Sequence, residues 1–250
     1  MTPAQAVAIA LAGVGAGTVN TIVGSGSLIT FPTLVALGFP PIVANVSNTV
    51  GLVPGSASGS LGYRRELVGQ GTRIVRLGVA AALGGLTGGV LLLALPASTF
   101  NRIVPLLILL ACVLVLLQPR LSRALASRRP AGGQHWPSII VLVYLTAIYG
   151  GYFGAAQSVI LIALLAIFVP DDLQRLNGLK NVLALIVNAV AALLFVVVAP
   201  VAWDAAALVA VGSIIGGQLG ALIGRRLSPM VLRAAIVVVG SVVAVRMLLP

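Results

Sequence analysis

Residues 176–199 read LNGLKNVLALIVNAVAALLFVVVA. A helix needs about 20 apolar residues to cross the hydrocarbon core of a bilayer, and this run is long enough, yet it carries Asn177, Lys180, Asn181 and Asn188. At helical spacing Asn177, Lys180 or Asn181, and Asn188 fall at i, i+3/i+4 and i+11, forming one polar stripe along an otherwise apolar rod. Subtracting 132 from each number lands on Asn45, Asn48, Thr49 and Ser56, the same stripe on an earlier segment. The chain therefore reads as two related halves, each giving one polar-striped helix to a shared centre.

Working outward, the composition sets the class. Hydrophobic residues make up 60% of the chain and charged residues 8%, with a mean hydropathy of +1.16. A soluble globule has about 45–50% apolar and about 25% charged residues, so the expected class is an all-α polytopic membrane protein in contact with lipid. The formal net charge of +11 raises nucleic acid as a partner. The arginines, however, sit in short loops between apolar runs rather than on one solvent-facing patch, as expected of positive-inside anchoring, and no nucleic-acid partner is expected. Cys112 is the only cysteine and lies in an apolar run; no intramolecular disulfide can form, and it reads as a packing residue. No basic segment precedes the first apolar stretch, which is read as a membrane element rather than a cleaved signal peptide.

Apolar runs bounded by charge, proline and glycine lie at about 4–23, 27–38, 40–62, 73–95 and 99–118, then at 137–154, 157–169, 175–199, 203–224 and 228–249. They divide the chain into a membrane repeat over 1–118, a basic linker over 119–136 with Arg120, Arg123, Arg128, Arg129 and His135, and a second membrane repeat over 137–250. The second run of each half has only about a dozen residues, short of a full span, and is expected to be tilted, broken or re-entrant. Gly84, Gly85 and Gly88 match Gly216, Gly217 and Gly220 at the offset of 132. Gly24 matches Gly154 at 130, because the second half gains two residues before Leu176. Internal similarity of this kind is common in secondary transporters.

The Lys/Arg distribution orients the segments. Arg64, Arg65, Arg73 and Arg76 place the third-to-fourth connection in the cytoplasm, and the arginines of the linker place it there too. The loops at Asp171, Asp172 and Arg175 and at Arg225 and Arg226 follow, leaving Arg102 and Arg246 as single exceptions on the outer side. Five crossings per half, an odd number, make the repeats inverted and put both termini outside the cytoplasm of a cell inner membrane. If the short second runs do not cross, the repeats become parallel, which the arginine distribution disfavours.

Three features bear on chemistry. Gly24-Ser25-Gly26-Ser27, followed by Pro32, and residues 150–158, which include Gly154, Gln157 and Ser158, are glycine-rich breaks. A helix that ends and restarts there leaves free N–H groups whose dipole attracts an anion; close packing through small residues is the alternative. Lys180 is a site candidate by its depth, although it stands about five residues from the cytoplasmic end, within snorkelling reach. The third feature is scarcity: the four acids, Glu66, Asp171, Asp172 and Asp204, all lie at or near loops, so no intramembrane carboxylate relay is supported. His135 stands alone in the linker, no catalytic triad or metal-ligand cluster appears, and neither an enzyme nor a cofactor is expected. The paired GGxxG segments read as packing seams.

Taken together, Gly24 to Ser27 with Pro32, residues 150–157, the Asn177-x-x-Lys180-Asn181 run and the doubled GGxxG segments resemble the TauE/SafE sulfite exporter family, also called the toluene sulfonate uptake permease family. The resemblance runs from about Gly13 to Met247; Ala156 and Ser158 stand where its second motif has glycines. It implies a transporter, read here as an exporter, of sulfite, sulfonate or a related small organosulfur anion. The expected contacts are Gly24, Ser25, Gly26, Ser27, Asn45, Asn48, Thr49, Gly154, Gln157, Ser158, Asn177, Lys180 and Asn181. An anion channel-like pathway and a non-transporting scaffold subunit are the other readings, and a homo-oligomer is left open.

Overall fold

The computed structural model describes residues 1–126, 136–223 and 229–248. Arg128, Arg129, His135, Arg225 and Arg226 lie outside the described residues. The described residues form ten helices: α1 (Pro3–Ile22), α2 (Ser27–Ala36), α3 (Pro41–Gly62), α4 (Gly71–Ala94), α5 (Ala97–Ala126), α6 (Trp136–Tyr152), α7 (Gln157–Phe168), α8 (Leu173–Val198), α9 (Trp203–Ile223) and α10 (Pro229–Leu248). Among the described residues there is no strand. Local chemistry starts several of them. Thr2 caps α1 through its hydroxyl, which accepts from Gln5 N–H at 3.3 Å, while Thr2 N–H donates to Gln5 Oε1 at 2.8 Å. Asp172 caps α8 by accepting from Gln174 N–H at 2.9 Å, and Pro41 occupies the first turn of α3.

Stretches of α1, α4, α5, α8 and α9 are long and apolar enough to cross a membrane. By contrast α2 and α7 have 10 and 12 residues, about 15 and 18 Å of helix at 1.5 Å per residue, roughly half the hydrocarbon thickness. The expected linker starts differently: α5 continues past Pro119 to Ala126, because Arg120, Leu121, Arg123, Ala124 and Leu125 are good helix formers.

Packing is doubled. α1 and α3 pack chiefly on α9, and their counterparts five helices later, α6 and α8, pack on α4. The contacts α1–α2, α2–α3 and α2–α10 recur as α6–α7, α7–α8 and α7–α5, while α3 meets α8 and α5 meets α10. The GGxxG segments make the close approaches. A side chain at Gly84 or Gly88 would strike the α6 backbone at Tyr144 and Ile148, and one at Gly216 or Gly220 would strike the α1 backbone at Val14 and Thr18. Gly85 faces Val187 of α8, and Gly217 faces Gly55 of α3.

These approaches fix helix directions. Gly13 meets Val209 and Gly17 meets Ser213, so α1 and α9 run parallel; Gly51 meets Val209 and Gly62 meets Ala221, so α3 runs with them. Because α1 and α3 share a direction, α2 returns the chain to the end where α1 began, and Leu37 and Gly38 line one cavity with Met1 and Gln5. α8 opposes α3. Gly178 near its start lies against Tyr63 and Glu66, whereas Ala202 beyond its end donates its N–H to Ser47 Oγ near the start of α3, at 2.8 Å. One end of the bundle therefore carries Arg73, Arg175 and Asp171, and the other Met1, Gly38 and Trp203. Large apolar side chains such as Leu83, Val90, Leu106, Val113, Leu193 and Val197 stay exposed, a surface suited to lipid.

Candidate functional site

The two breaks meet. After α1 the backbone turns through Gly24 at φ +89°, and after α6 through Gly154 at φ +75°, conformations that glycine adopts without penalty. Ala156 follows at φ +58°, the left-handed region, where a Cβ is strained. A Cβ on Gly24 would run into Ser158 Cβ and lie 2.9 Å from its hydroxyl, so the first break lies against the first turn of α7. From this junction α2 leads toward the Met1 end and α7 toward Asp171. The N-termini of the two half-helices thus converge, and neither has a side-chain cap. Their positive dipole ends and first-turn N–H groups suit an anion. Aromatic rings brace the junction: Phe31 stands edge-on to Phe153 at 5.2 Å, Phe100 packs on both Tyr152 and Phe153, and Tyr149 O–H donates to Ala155 C=O.

Several of the expected contact residues are buried with polar atoms left over. Among the described residues, Ser25 Oγ, Asn45 Oδ1, Gln157 Nε2 and Asn181 Nδ2 have no hydrogen-bond partner, and the Tyr152 hydroxyl joins them. Each such group costs about 1–3 kcal/mol when nothing satisfies it. Asn45 Nδ2 donates to Tyr152 C=O at 3.0 Å and ties α3 to the second break. Thr30 Oγ1 donates to Asn48 Oδ1, and Thr49 Oγ1 donates to Asn45 C=O at 2.9 Å. Gly26 is buried, whereas Ser27 and Asn177 are half-buried.

Lys180 does not snorkel. Its side chain is 1% exposed and among the largest fully buried in the protein, and neither described ion pair includes it. Because Gly178 sits against Tyr63 and Glu66, Lys180 and Asn181 lie on the arginine-rich side of the α3–α8 pair. Asn20 of α1, whose Cβ a side chain on Gly26 would approach to 3.0 Å, donates to Ser56 Oγ at 3.1 Å. The break, Asn20 and Ser56 therefore share one depth.

At the arginine-rich end Asp171 accepts from Arg73 and, at 2.9 Å, from Arg175 Nε. Partial burial opposes its ionisation, but the hydrogen bonds from Arg73 and Asp172 N–H and the charge of Arg175 outweigh it, holding the carboxyl below its ordinary range. Gln70 Nε2 donates to Glu66 C=O and Arg175 C=O, both at 2.9 Å, and Arg76 stacks over Trp136 at 5.1 Å. Sequence reasoning missed this tie between the two halves, and it missed Ser60, whose hydroxyl is also buried and unpaired. Ser60 was findable, since it extends the α3 stripe by one turn from Ser56. Among the described residues no cluster of three or more His, Cys, Asp or Glu could hold a metal ion.

The model of the family described as Sulfite exporter TauE/SafE matches residues 9–247. The chain is 25% identical over 234 residues to "Probable membrane transporter protein YfcA" of Escherichia coli K12, covering 93% of this chain and 86% of that protein. It is 24% identical over 229 residues to a "Probable membrane transporter protein" of Haemophilus influenzae, covering 92% and 89%, and 22% identical over 233 residues to "Probable membrane transporter protein ORF9" of Sinorhizobium sp, covering 93% and 88%. No solved structure matches.

Proposed function

The chain belongs to the sulfite exporter TauE/SafE family of membrane transporters, and from that premise we propose that it carries sulfite or a sulfonate across the inner membrane by alternating access. The observation that carries this reading is the cluster of unpaired buried groups, Ser25 Oγ and Gln157 Nε2 at the junction of two uncapped half-helices and Asn181 Nδ2 beside the buried Lys180. A hydroxyl, carboxamide N–H groups, helix N-termini and an ammonium are all donors or positive, and an oxyanion offers only acceptors. Asn45 orients the second break through Tyr152 C=O and keeps Oδ1 for a hydrated or protonated oxygen. Gly24, Gly26 and Gly154 let the backbone come close; Ser27 and Ser158 extend the polar lining, with Asn48, Thr49 and Asn177 behind it.

The two five-helix units, 1–118 and 137–250, would be inverted repeats. The opposed directions of α3 and α8 and the exchange of contacts between the units support this. Rocking one unit on the other exposes the junction to each side in turn. An inside-negative potential drives an anion outward at about 2.3 kcal/mol per charge per 100 mV, which favours export, and positive-inside anchoring favours a cytoplasmic arginine-rich end. The test is sulfite and methanesulfonate flux in proteoliposomes. Wild type should show saturable flux with counterflow, and Gln157→Ala and Lys180→Ala should reduce it at least about tenfold, the worth of one charge-assisted hydrogen bond. Wild-type vesicles no more permeable than protein-free ones would overturn the reading; unchanged flux in both variants would overturn the site.

A further inference from the structure

Gly178 of α8 packs against the end of α3, where its Cβ would stand 3.6 Å from Cβ of Tyr63, the C-cap of α3, and 3.4 Å from Glu66 Cβ just beyond it. One turn deeper on each helix, on the same faces, come Asn181 and Ser60, three residues from Gly178 and Tyr63 respectively. Because the helices are antiparallel, both steps lead inward, which sets Ser60 and Asn181 at the same depth on two packed helices. Each is 7% exposed. Ser60 Oγ and Asn181 Nδ2 both lack a hydrogen-bond partner and so do not bond to each other. Two buried polar groups at one depth, both left unpaired, call for a further partner. Lys180, 1% exposed, precedes Asn181 on α8 and belongs to the same polar stripe.

We propose that Ser60, Asn181 and Lys180 form a second anion station, one helical turn or ~6 Å beyond the junction of the breaks toward the arginine-rich end. The inference rests on the carrier reading above and adds Ser60 as a substrate contact. Subtracting or adding 132 carries Lys180, Asn181 and Ser60 to Asn48, Thr49 and Ala192. There an uncharged carboxamide, Asn48, stands for the ammonium, the Thr49 hydroxyl already donates to Asn45 C=O, and Ala192 has no polar side-chain atom. The station therefore exists on one side only, and it holds the anion on the side of the arginines. An ammonium, a carboxamide N–H group and a hydroxyl supply three donor groups, which an anion's oxygens can accept. The three oxygens of sulfite or of a sulfonate offer one to each donor group, whereas a carboxylate has two.

The test uses full-length protein oriented uniformly in proteoliposomes, with sulfite flux measured from each face for wild type, Ser60→Ala, Ser60→Thr and Gln157→Ala. In Ser60→Ala, KM from the arginine-rich face should rise about tenfold, as for one lost bond to a charged group, with kcat held within about twofold and KM from the opposite face unchanged. Ser60→Thr should restore the wild-type KM. The melting midpoint of Ser60→Ala should not fall, since it removes an unpaired hydroxyl. Equal KM from both faces in Ser60→Ala, alongside loss of flux in Gln157→Ala, would overturn the station and leave the carrier reading intact. A lowered midpoint in Ser60→Ala would assign the hydroxyl to the fold and overturn the station too. Absence of sulfite flux in wild type would overturn both.

Discussion

A lysine at membrane depth costs about 2.5–3.5 kcal/mol on insertion scales, and Lys180 meets no described carboxylate that would offset it. If that cost is tolerated for the sake of an anion, removing the charge should help the empty protein and harm the working one. Lys180→Met keeps the volume; its melting midpoint in detergent is expected to rise, by about 1–3 kcal/mol of stability, while anion flux falls at least about tenfold. A lower midpoint would mean that the ammonium is satisfied within the fold. Ala156 is a second residue held at a cost, with its φ of +58°. Ala156→Gly should relieve up to about 1 kcal/mol of strain and raise the midpoint; a fall would show that the Ala156 methyl is needed for packing at the break. Sequence alone placed Lys180 within snorkelling reach and left its depth undecided, because reach depends on whether neighbouring helices cover the head group. Lys180 is 1% exposed, and no periodicity predicts that cover. Ala156 was visible as a departure from the family pattern, but not the left-handed backbone that makes the departure costly.

Helices were legible because apolar runs, glycine pairs and prolines mark them, and each of the ten expected runs overlaps one observed helix. Their pairing was less so. The GGxxG segments announced close approach without naming a partner, since small residues permit contact on any side. The structure divides each segment between two neighbours, with Gly84 and Gly88 on α6 and Gly85 on α8. The end of α5 was also hidden, because Pro119 and a run of arginines read as linker while the helix continues to Ala126. The seams carry a sharp contrast. A methyl at Gly88 would meet the backbone of Ile148 and Tyr152, which cannot move aside, whereas Gly71, in the first turn of α4, has nothing within 4 Å. Gly88→Ala should destabilise by at least about 2 kcal/mol through overpacking. Gly71→Ala should be neutral or stabilise by up to about 1 kcal/mol through helix propensity. Melting midpoints of the two variants check this, and equal shifts would mean that α4 and α6 are not held at backbone contact.

At the scale of the whole molecule, the arginine-rich end is where the two halves are tied by charge. Asp171, between α7 and α8, binds Arg73 of α4, and Arg175 of α8 completes the group while donating to Val68 C=O at 3.0 Å. With Gln70 bridging Glu66 and Arg175, these bonds join the α3–α4 connection to the α7–α8 connection. That is where a carrier opening toward this end would have to part. The pH dependence follows from the depressed carboxyl. A carboxylate whose folded pKa lies below its unfolded value of about 3.9 contributes its full stability above that value and loses it as pH falls through the folded pKa. Wild type should therefore lose melting midpoint as pH drops below about 4, and Asp171→Asn should begin lower at neutral pH, by about 1 kcal/mol for a partly exposed pair, with a flatter acid limb. The same variant should exchange the backbone amides of residues 63–70 and 169–175 faster at neutral pH, because both connections lose their shared partner. If wild type and Asp171→Asn show parallel acid limbs and equal exchange in these segments, the pair is a surface contact of no consequence, and the seal at this end must come from the apolar packing around Leu176 and Leu179.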